Sequence, residues 1–178
     1  MTDSLTGLHN RRYMETHLAT LVEQASARGK PLALLVLDID HFKSVNDNHG
    51  HDARDDVLRE FALRVRRSIR GINLACRYGG EEFVVVMPQT DMAVAATVAK
   101  RVRRRIAGEP FGIGHQGETL NVTISIGLAS LVSPADNRGD YSQARGSGAV
   151  SCQAGRAQSR GRAATRPKAG SKRGRQAV

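Results

Sequence analysis

The chain has 178 residues, of which 40% are hydrophobic, 4% aromatic and 25% charged, and this is enough for one domain with its own core. No apolar run approaches the ~18 to 20 residues of a membrane-spanning helix, and the first ten residues lack the features of a secretory signal. We therefore expect a cytoplasmic protein. Cys76 and Cys152 lie far apart and indicate neither a disulfide framework nor a zinc site.

The formal net charge of +10 is concentrated at one end of the chain. Residues 1–140 carry all 17 acidic residues and 18 of the 27 basic ones, whereas residues 141–178 carry nine basic residues and no acid. Large apolar side chains are scarce in this tail, so we expect one domain over residues 1–135 and a basic, disordered extension over residues 136–178. The alternative for the tail is a sequence-insensitive nucleic-acid-binding arm.

Hydrophobic periodicity predicts a helix followed by a buried strand. Apolar residues recur every three or four positions from Arg11 to Ala27, which is typical of an amphipathic helix, and residues 29–31 (GKP) end it. Residues 32–37 are apolar without alternation and predict a central strand that is buried on both faces. This strand ends in Asp38-Ile39-Asp40.

The next elements are a second helix, a hairpin, a third helix and a final strand. The second helix is predicted over about residues 53–69, and residues 74–78 and 83–87 form a hairpin across a two-residue turn, Gly79-Gly80. The third helix points four apolar residues inward and five basic residues outward: Ala95, Val98, Val102 and Ile106, and Lys100, Arg101, Arg103, Arg104 and Arg105. Residues 120–129 alternate like a strand, so we expect an α/β domain with helices packed on a mixed or antiparallel sheet.

Acidic residues gather at two predicted strand ends. Asp38 and Asp40 leave the central strand on the same face, and Glu81 and Glu82 follow the Gly79-Gly80 turn. If the hairpin neighbours the central strand, these carboxylates converge and require a cation such as Mg²⁺, which prefers carboxylates together with phosphate oxygens. A nucleoside triphosphate is therefore the natural ligand. Taken singly, each feature also fits a solvated strand end or an ordinary hairpin.

A polar segment after the central strand has the side chains to select a base. It contains Asn46, Asp47, Asp52 and Asp55, and we expect it to be a loop. An Asp carboxylate can accept two parallel hydrogen bonds from guanine, and an Asn amide can complement an adjacent donor and acceptor. His49 and His51 flank Gly50 in this segment, but they lack the third ligand of a typical metal site.

Four segments together resemble the GGDEF-domain diguanylate cyclases, and in particular the output domain of PleD-type response regulators. These segments are residues 3–12 (DSLTGLHNRR), 38–43 (DIDHFK), 46–52 (NDNHGHD) and 77–83 (RYGGEEF). The match covers about residues 3 to 130 in the family's order. The resemblance implies a palm-like sheet, similar to that of nucleotidyl cyclases. It also implies a nucleotidyltransferase that condenses two GTP into the bacterial second messenger cyclic di-GMP, with release of two pyrophosphates.

The resemblance also implies roles for individual residues. Mg²⁺ (or Mn²⁺) would be bound by Asp38, Glu81 and the backbone carbonyl of Ile39, with Glu82 as a further acid or a base. Substrate would be bound by six residues: Phe42, Lys43, Asn46, Asp55, Gly79 and Gly80. Turnover would require a homodimer in which each chain holds one GTP, and no specific nucleic acid or membrane segment takes part.

Two stretches differ from the family pattern. The inhibitory site for the product is degenerate, because Asn73 replaces the acid of an Arg-x-x-Asp motif that begins at Arg70, and Arg101 matches a secondary arginine of this site. The family's last helix and strand are lacking, so the alternative function is an impaired regulatory module that binds GTP or cyclic di-GMP. An upstream regulatory domain, which is common in the family, is also absent from this sequence.

Overall fold

The computed structural model describes residues 1–114 and 117–132. This part of the chain contains three helices, which are α1 (Arg11–Ala27), α2 (Phe42–Ser68) and α3 (Met92–Ala107). It also contains seven strands: β1 (His9–Asn10), β2 (Leu32–Ile39), β3 (Leu74–Arg77), β4 (Glu82–Pro88), β5 (Phe111–Ile113), β6 (Glu118–Leu120) and β7 (Ile124–Val132). The predicted bounds of the first helix are confirmed.

Five of the strands form one mixed sheet in the order β1-β3-β4-β2-β7. Its pairs are antiparallel except for the short parallel pair between β1 and β3. Helices α2 and α3 cover one face and share its core with the sheet, while α1 covers part of the other face. The α/β fold with a mixed sheet is therefore confirmed, and none of the helices in the described residues could span a membrane.

The register of β2 brings its last residues beside both neighbouring strands. Asp38 pairs with Glu82 of β4 on one side and with Ser125 of β7 on the other. Directly paired residues in an antiparallel sheet project to the same face, so these three side chains share one end of one face. The sheet thereby places the predicted acidic cluster where the β3–β4 turn meets the end of β2.

Burial of β2 differs from the prediction on one face. Leu35 and Leu37 are fully buried under α2 and α3, as expected for that face. On the opposite face, however, Val36 is 40% exposed and Leu34 is half-buried. The apolar cluster under α1 includes Leu32 and Val84 but not Val36, because α1 covers only part of this face.

The second helix begins earlier than predicted, at Phe42 rather than near Ala53. Its axis breaks at Gly50, whose φ of 81° and ψ of −176° are not helical. The prediction of a loop containing Asn46, Asp47, Asp52 and Asp55 is therefore wrong, because the first two lie in the helical segment before Gly50 and the last two in the segment after it. Only Phe42 and Val45 are buried in that segment, and two apolar residues are too few to produce a recognisable helical period.

The end of the described chain also differs in detail from the prediction. Residue 120 belongs to β6, which pairs with β5 in a separate two-stranded sheet, and the strand of the main sheet begins at Ile124. In α3, the four residues predicted to point inward are buried and the five basic residues are exposed, as expected. The expectations for the missing last helix and strand and for the basic tail fall on residues 133–178 and lie outside the described residues.

Candidate active site

Asp38 and Glu82 are neighbouring acids at the end of β2 and the start of β4, and the positive charge of Arg11 acts on Glu82. They are cross-strand partners, and neither carboxylate accepts a hydrogen bond from any described residue. Burial raises the pKa of Asp38, and the negative charges of Glu82 and Asp40 raise it further. A divalent cation would remove this repulsion, so the oxygen-rich site fits Mg²⁺.

The other predicted acids lie nearby but in different surroundings. Glu81 is half-buried and immediately precedes Glu82, the first residue of β4. Asp40 follows β2, and its two carboxylate oxygens accept hydrogen bonds from the hydroxyls of Thr123 and Ser125, both at 2.7 Å. The charges of Glu82 and Asp40 therefore act on Asp38, but no three acids among the described residues are close enough to form a metal-binding group. Metal binding by Asp38, Ile39 and Glu81 stays a prediction.

The turn between β3 and β4 is longer than the predicted two residues. Four residues, 78–81, separate the strands. The backbone N–H groups of Tyr78 and Gly79 donate to the carbonyl of Glu82 at 2.8 and 3.2 Å. A Cβ atom on Gly79 would lie 2.9 Å from Oε2 of Glu82, whereas a Cβ on Gly80 would meet nothing within 4 Å. The absence of a side chain at Gly79 therefore leaves room for the Glu82 carboxylate.

This turn is also held by an ion pair between Arg77 and Asp3, which the sequence did not indicate. The guanidinium of Arg77 donates to the Gly80 carbonyl through Nη2 at 2.9 Å, and its Nη1 lies 3.3 Å from Oδ2 of Asp3. Asp3 also accepts hydrogen bonds from the backbone N–H and the hydroxyl of Thr6, at 2.9 and 2.7 Å. An Asp three residues before a Thr is a local turn signal, but its pairing with Arg77 is not visible from spacing.

The start of α2 faces the same end of β2. His41 precedes the helix with a φ of 57°, in the left-handed region, and its side chain makes no capping hydrogen bond. Phe42 is 4% exposed and anchors the first turn in the core, whereas Lys43 is exposed. Free N–H groups at a helix start can bind phosphate oxygens, so this turn can hold the phosphates of a ligand near the acids.

The two residues predicted to recognise guanine lie on either side of the break in α2. Asn46 is in the first helical segment, and its buried Oδ1 has no hydrogen-bond partner in the described part of the chain. Asp55 is half-buried in the second segment. A buried acceptor without a donor is costly, so the Asn46 amide is a good candidate for a ligand contact.

The predicted inhibitory residues are distributed over two cavities. Arg70 and Asn73 line a cavity of about 360 Å³, and the Oδ1 atom of Asn73 is buried without a partner among the described residues. Arg101 lines a different cavity of about 610 Å³ and donates to the carbonyl of Ser68 through Nε and Nη2, at 2.9 and 2.6 Å. Arg101 therefore also closes the end of α2, a structural role that the sequence analysis did not find.

Neither Cys76 nor the pair of His49 and His51 belongs to a metal-binding group among the described residues. Cys76 is a free, buried thiol, and burial raises its pKa to about 11, with smaller effects of Asp3 and Glu15. Among residues 1–114 and 117–132, His49, His51 and their neighbours form no group of three or more metal-binding side chains. Cys152 lies outside the described residues.

Comparisons with known proteins agree with this geometry. Residues 1–147 match the family profile described as "Diguanylate cyclase, GGDEF domain". The chain is 54% identical over 136 residues to the response regulator PleD of Caulobacter vibrioides, which covers 76% of this chain and 30% of PleD. It is 42% identical over 131 residues to the diguanylate cyclase DgcP of Pseudomonas aeruginosa, covering 74% of this chain and 19% of DgcP.

Solved structures show the same fold. The GGDEF domain of DgcB from Caulobacter crescentus, solved in complex with c-di-GMP, aligns with a TM-score of 0.71 at 36% identity, covering 75% of this chain and 76% of that one. The diguanylate cyclase SiaD of Pseudomonas aeruginosa, solved with its activator SiaC, aligns with a TM-score of 0.68 at 39% identity, covering 72% and 49%. This chain spans less than a third of the length of PleD or DgcP. The family profile and these identities show that it belongs to the GGDEF domain family.

Proposed function

We propose that this chain is a diguanylate cyclase domain that condenses two GTP molecules into cyclic di-GMP and releases two pyrophosphates. The observation that carries the proposal is the cross-strand pair of Asp38 and Glu82 beside the Gly79-Gly80 turn, with a raised pKa for Asp38. Two neighbouring carboxylates that accept no hydrogen bond from the described residues fit a metal-dependent transfer of a nucleotidyl group. The similarity to named diguanylate cyclases supports the same assignment.

Three groups of this chain would hold Mg²⁺ or Mn²⁺: the carboxylates of Asp38 and Glu81 and the backbone carbonyl of Ile39. When bound, the cation supplies positive charge that neutralises the phosphates and orients them for attack. Glu82 adjoins Asp38 and acts as a further acid or as a base for the attacking hydroxyl. The chain itself contributes mainly the geometry of the acids.

The remaining substrate contacts follow the start and the break of α2. The Asn46 amide, whose buried oxygen has no partner in the described residues, and the Asp55 carboxylate bind the guanine edge. The backbone at Phe42 and Lys43 holds the terminal phosphates at the start of the helix. Gly79 and Gly80 allow a phosphate to approach the backbone of the turn closely.

The proposed reaction requires two copies of this chain. In each of two reciprocal steps, the 3′-hydroxyl oxygen of one nucleotide forms a bond to the α-phosphorus of the other, the bond from that phosphorus to the bridging oxygen breaks, and one pyrophosphate leaves. The two steps together close the ring and release two pyrophosphates. The hydroxyl proton passes to Glu82 or to water. Since each copy holds one GTP, the two sites must face each other in a homodimer, and the rate should rise steeply with protein concentration.

The test is the formation of cyclic di-GMP by the purified chain with GTP and Mg²⁺, at protein concentrations high enough to force pairing. We expect product from the natural sequence and a loss of about 100-fold or more in Glu82→Gln. Glu23→Gln, which removes an exposed acid on α1, is the matched control and should keep the natural rate. Failure of the natural chain to form product under these conditions would exclude the proposal.

We further propose that product inhibition is weakened in this chain. Arg70 and Asn73 line one cavity, so the positions of the inhibitory motif lie together, but Asn73 lacks the negative charge that guanine donors favour. Asn73→Asp should therefore increase inhibition by added cyclic di-GMP by about tenfold, since a charged hydrogen bond is worth ~1.5 kcal/mol or more. Equal inhibition of both proteins would contradict this assignment.

We also propose that residues 1–135 form the catalytic domain and that residues 136–178 add a basic extension without a catalytic role. The alternating apolar pattern ends before residue 136, and residues 141–178 carry nine of the 27 basic residues without any acid. A chain ending at residue 135 should bind Mg²⁺ and GTP as the full chain does. A loss of binding in the shortened chain would move the domain boundary into the tail.

A further inference from the structure

We infer that Asp40 is a positioning residue, which fixes the turn between β2 and α2 through hydrogen bonds to Thr123 and Ser125 at the start of β7 and does not itself ligate the cation. This inference deepens the proposed function and rests on it. It divides the two acids of the Asp38-Ile39-Asp40 segment into one that meets the ligand and one that holds the backbone.

Asp40 makes three hydrogen bonds to the start of β7, two with Thr123, the residue before the strand, and one with Ser125 inside it. Its Oδ2 accepts from Oγ1 of Thr123 and its Oδ1 accepts from Oγ of Ser125, both at 2.7 Å. Its backbone N–H donates to the carbonyl of Thr123 at 3.0 Å. Between these contacts lies the strand pair of Ile39 and Ile124, and Ile39 is 1% exposed. The backbone at Ile39 and Asp40 is therefore held against the start of β7.

The backbone conformation of the next residue, His41, explains why the turn needs these hydrogen bonds. His41 adopts a left-handed φ of 57°, which costs a residue with a side chain roughly 1 to 2 kcal/mol. The helix that follows has no side-chain cap at His41. Local preferences alone thus disfavour this turn, and the bonds of Asp40 to β7 stabilise it. The turn sets the direction of the Ile39 carbonyl and of the first N–H groups of α2.

The two acids of the segment differ in what they contact. Both carboxylate oxygens of Asp40 accept short hydrogen bonds from hydroxyls, whereas the carboxylate of Asp38 accepts none from the described residues. Ser125 is the strand partner of Asp38, yet its hydroxyl donates to Asp40. Asp38 is therefore free to bind a ligand, and Asp40 acts through the backbone that it holds.

The test compares loss of the acid with loss of its two donors. Three variants are needed: Asp40→Asn, the double variant Thr123→Val with Ser125→Ala, and the triple combination. Thr97→Val, which removes a threonine hydroxyl bond on α3, is the matched control. The probes are Mg²⁺ with α,β-methylene GTP for binding, added Mg²⁺ for the metal dependence of turnover, and thermal unfolding without ligand.

If Asp40 positions the backbone, the double variant should weaken nucleotide binding about 10- to 100-fold, which is the typical effect of removing a group that orients a metal ligand. It should also raise the Mg²⁺ concentration needed for half-maximal turnover. The triple variant should then bind no more weakly than the double variant, because one interaction network is removed once. Natural binding in the double variant, with a loss only in Asp40→Asn, would make Asp40 a ligand and overturn the inference. A lower unfolding temperature with unchanged affinity would overturn it too.

The binding probe separates this inference from the proposed function. A natural chain that binds Mg²⁺ and the nucleotide analogue but forms no cyclic di-GMP excludes the proposed function, and the binding of the variants still decides the role of Asp40. A natural chain that binds neither excludes both.

Discussion

Two carboxylates at the same end of the sheet have opposite surroundings. Asp3 accepts hydrogen bonds from Thr6 and pairs with Arg77, whereas Asp38 accepts no hydrogen bond from the described residues and faces Glu82 and Asp40. Burial acts to raise the pKa of both acids. At Asp3 the hydrogen bonds from Thr6 and the charge of Arg77 outweigh burial and lower the pKa, but at Asp38 the neighbouring acids raise it further.

This difference separates an acid with a structural role, Asp3, from one that we propose to be functional, Asp38. The charge of Asp3 is compensated within the chain, and its contacts hold the turn that carries Gly80. The charge of Asp38 is uncompensated, so it weakens the ligand-free fold and becomes favourable only with a cation bound. Natural proteins retain such destabilising groups at sites of function.

The largest effect is expected from Asp38→Asn. The substitution removes a proposed metal ligand, so turnover should fall on the order of 10²- to 10³-fold. Without metal, the same variant should unfold about 1 to 3 °C higher, because repulsion from Glu82 and Asp40 is relieved. The measurements are cyclic di-GMP formation and thermal unfolding with and without Mg²⁺. A variant that is less stable than the natural chain in the absence of metal would contradict the functional reading of Asp38.

The next largest effect is expected from Asp3→Ala. It removes the two bonds from Thr6 and leaves Arg77 without its acid, so the free energy of unfolding should fall by about 1 to 2 kcal/mol. Denaturant titration measures this change. Glu15→Gln is the control, because it breaks the exposed pair with Arg11 and should cost less than about 0.5 kcal/mol. Equal losses in both variants would show that the Asp3 pair has no special structural role.

The pH dependence of stability should differ in sign between the two acids. Asp3 has a lowered pKa, so its stabilising contribution is present above the ordinary value of 3.8 and is lost as the pH falls through its folded value. Asp38 has a raised pKa, so its contribution is present below 3.8 and is lost as the pH rises through its folded value.

Unfolding of the ligand-free protein over about pH 3 to 6 tests these signs. Relative to the natural chain, Asp3→Asn should lose less stability on acidification, and Asp38→Asn should lose less as the pH rises. Parallel curves for the natural chain and both variants would contradict the opposite surroundings of the two acids.

Much of this arrangement could be predicted from the sequence, because its signals are local. The amphipathic period gives α1 its observed bounds, and the acids at the end of β2 and after the Gly79-Gly80 turn indicate that carboxylates meet if the two strands are neighbours. Both signals depend on residues close together in the chain or on one strand pairing. The resemblance of four motifs to a known family adds the expectation that these segments belong to one site.

The parts that could not be predicted depend on contacts between distant segments. Arg77 and Asp3 are 74 positions apart, and Asp40 and Thr123 are 83 apart, so no periodicity indicates either contact. The first segment of α2 buries only Phe42 and Val45, which leaves its helical period too short to detect. The partial exposure of Val36 depends on how far α1 extends over the sheet, which the apolar run of β2 does not specify.

The smallest effect is expected from Gly79→Ala, in the turn beside Glu82. A Cβ there would lie 2.9 Å from Oε2 of Glu82, and the carboxylate can rotate away, so Gly79→Ala should change the free energy of unfolding by no more than about 0.5 kcal/mol. The displaced Glu82 should weaken binding of Mg²⁺ with α,β-methylene GTP, by about threefold. Gly80→Ala, whose Cβ would meet nothing within 4 Å, is the matched control for stability.

These two glycine variants decide whether Glu82 needs its present position. Weaker binding in Gly79→Ala alone places the Glu82 carboxylate at the ligand, as expected for an acid that accepts no hydrogen bond from the described residues. Weaker binding in both variants would instead indicate that the ligand approaches the backbone of the turn. Natural binding in Gly79→Ala would show that Glu82 can move without consequence, and the functional group at this end of the sheet would then reduce to Asp38.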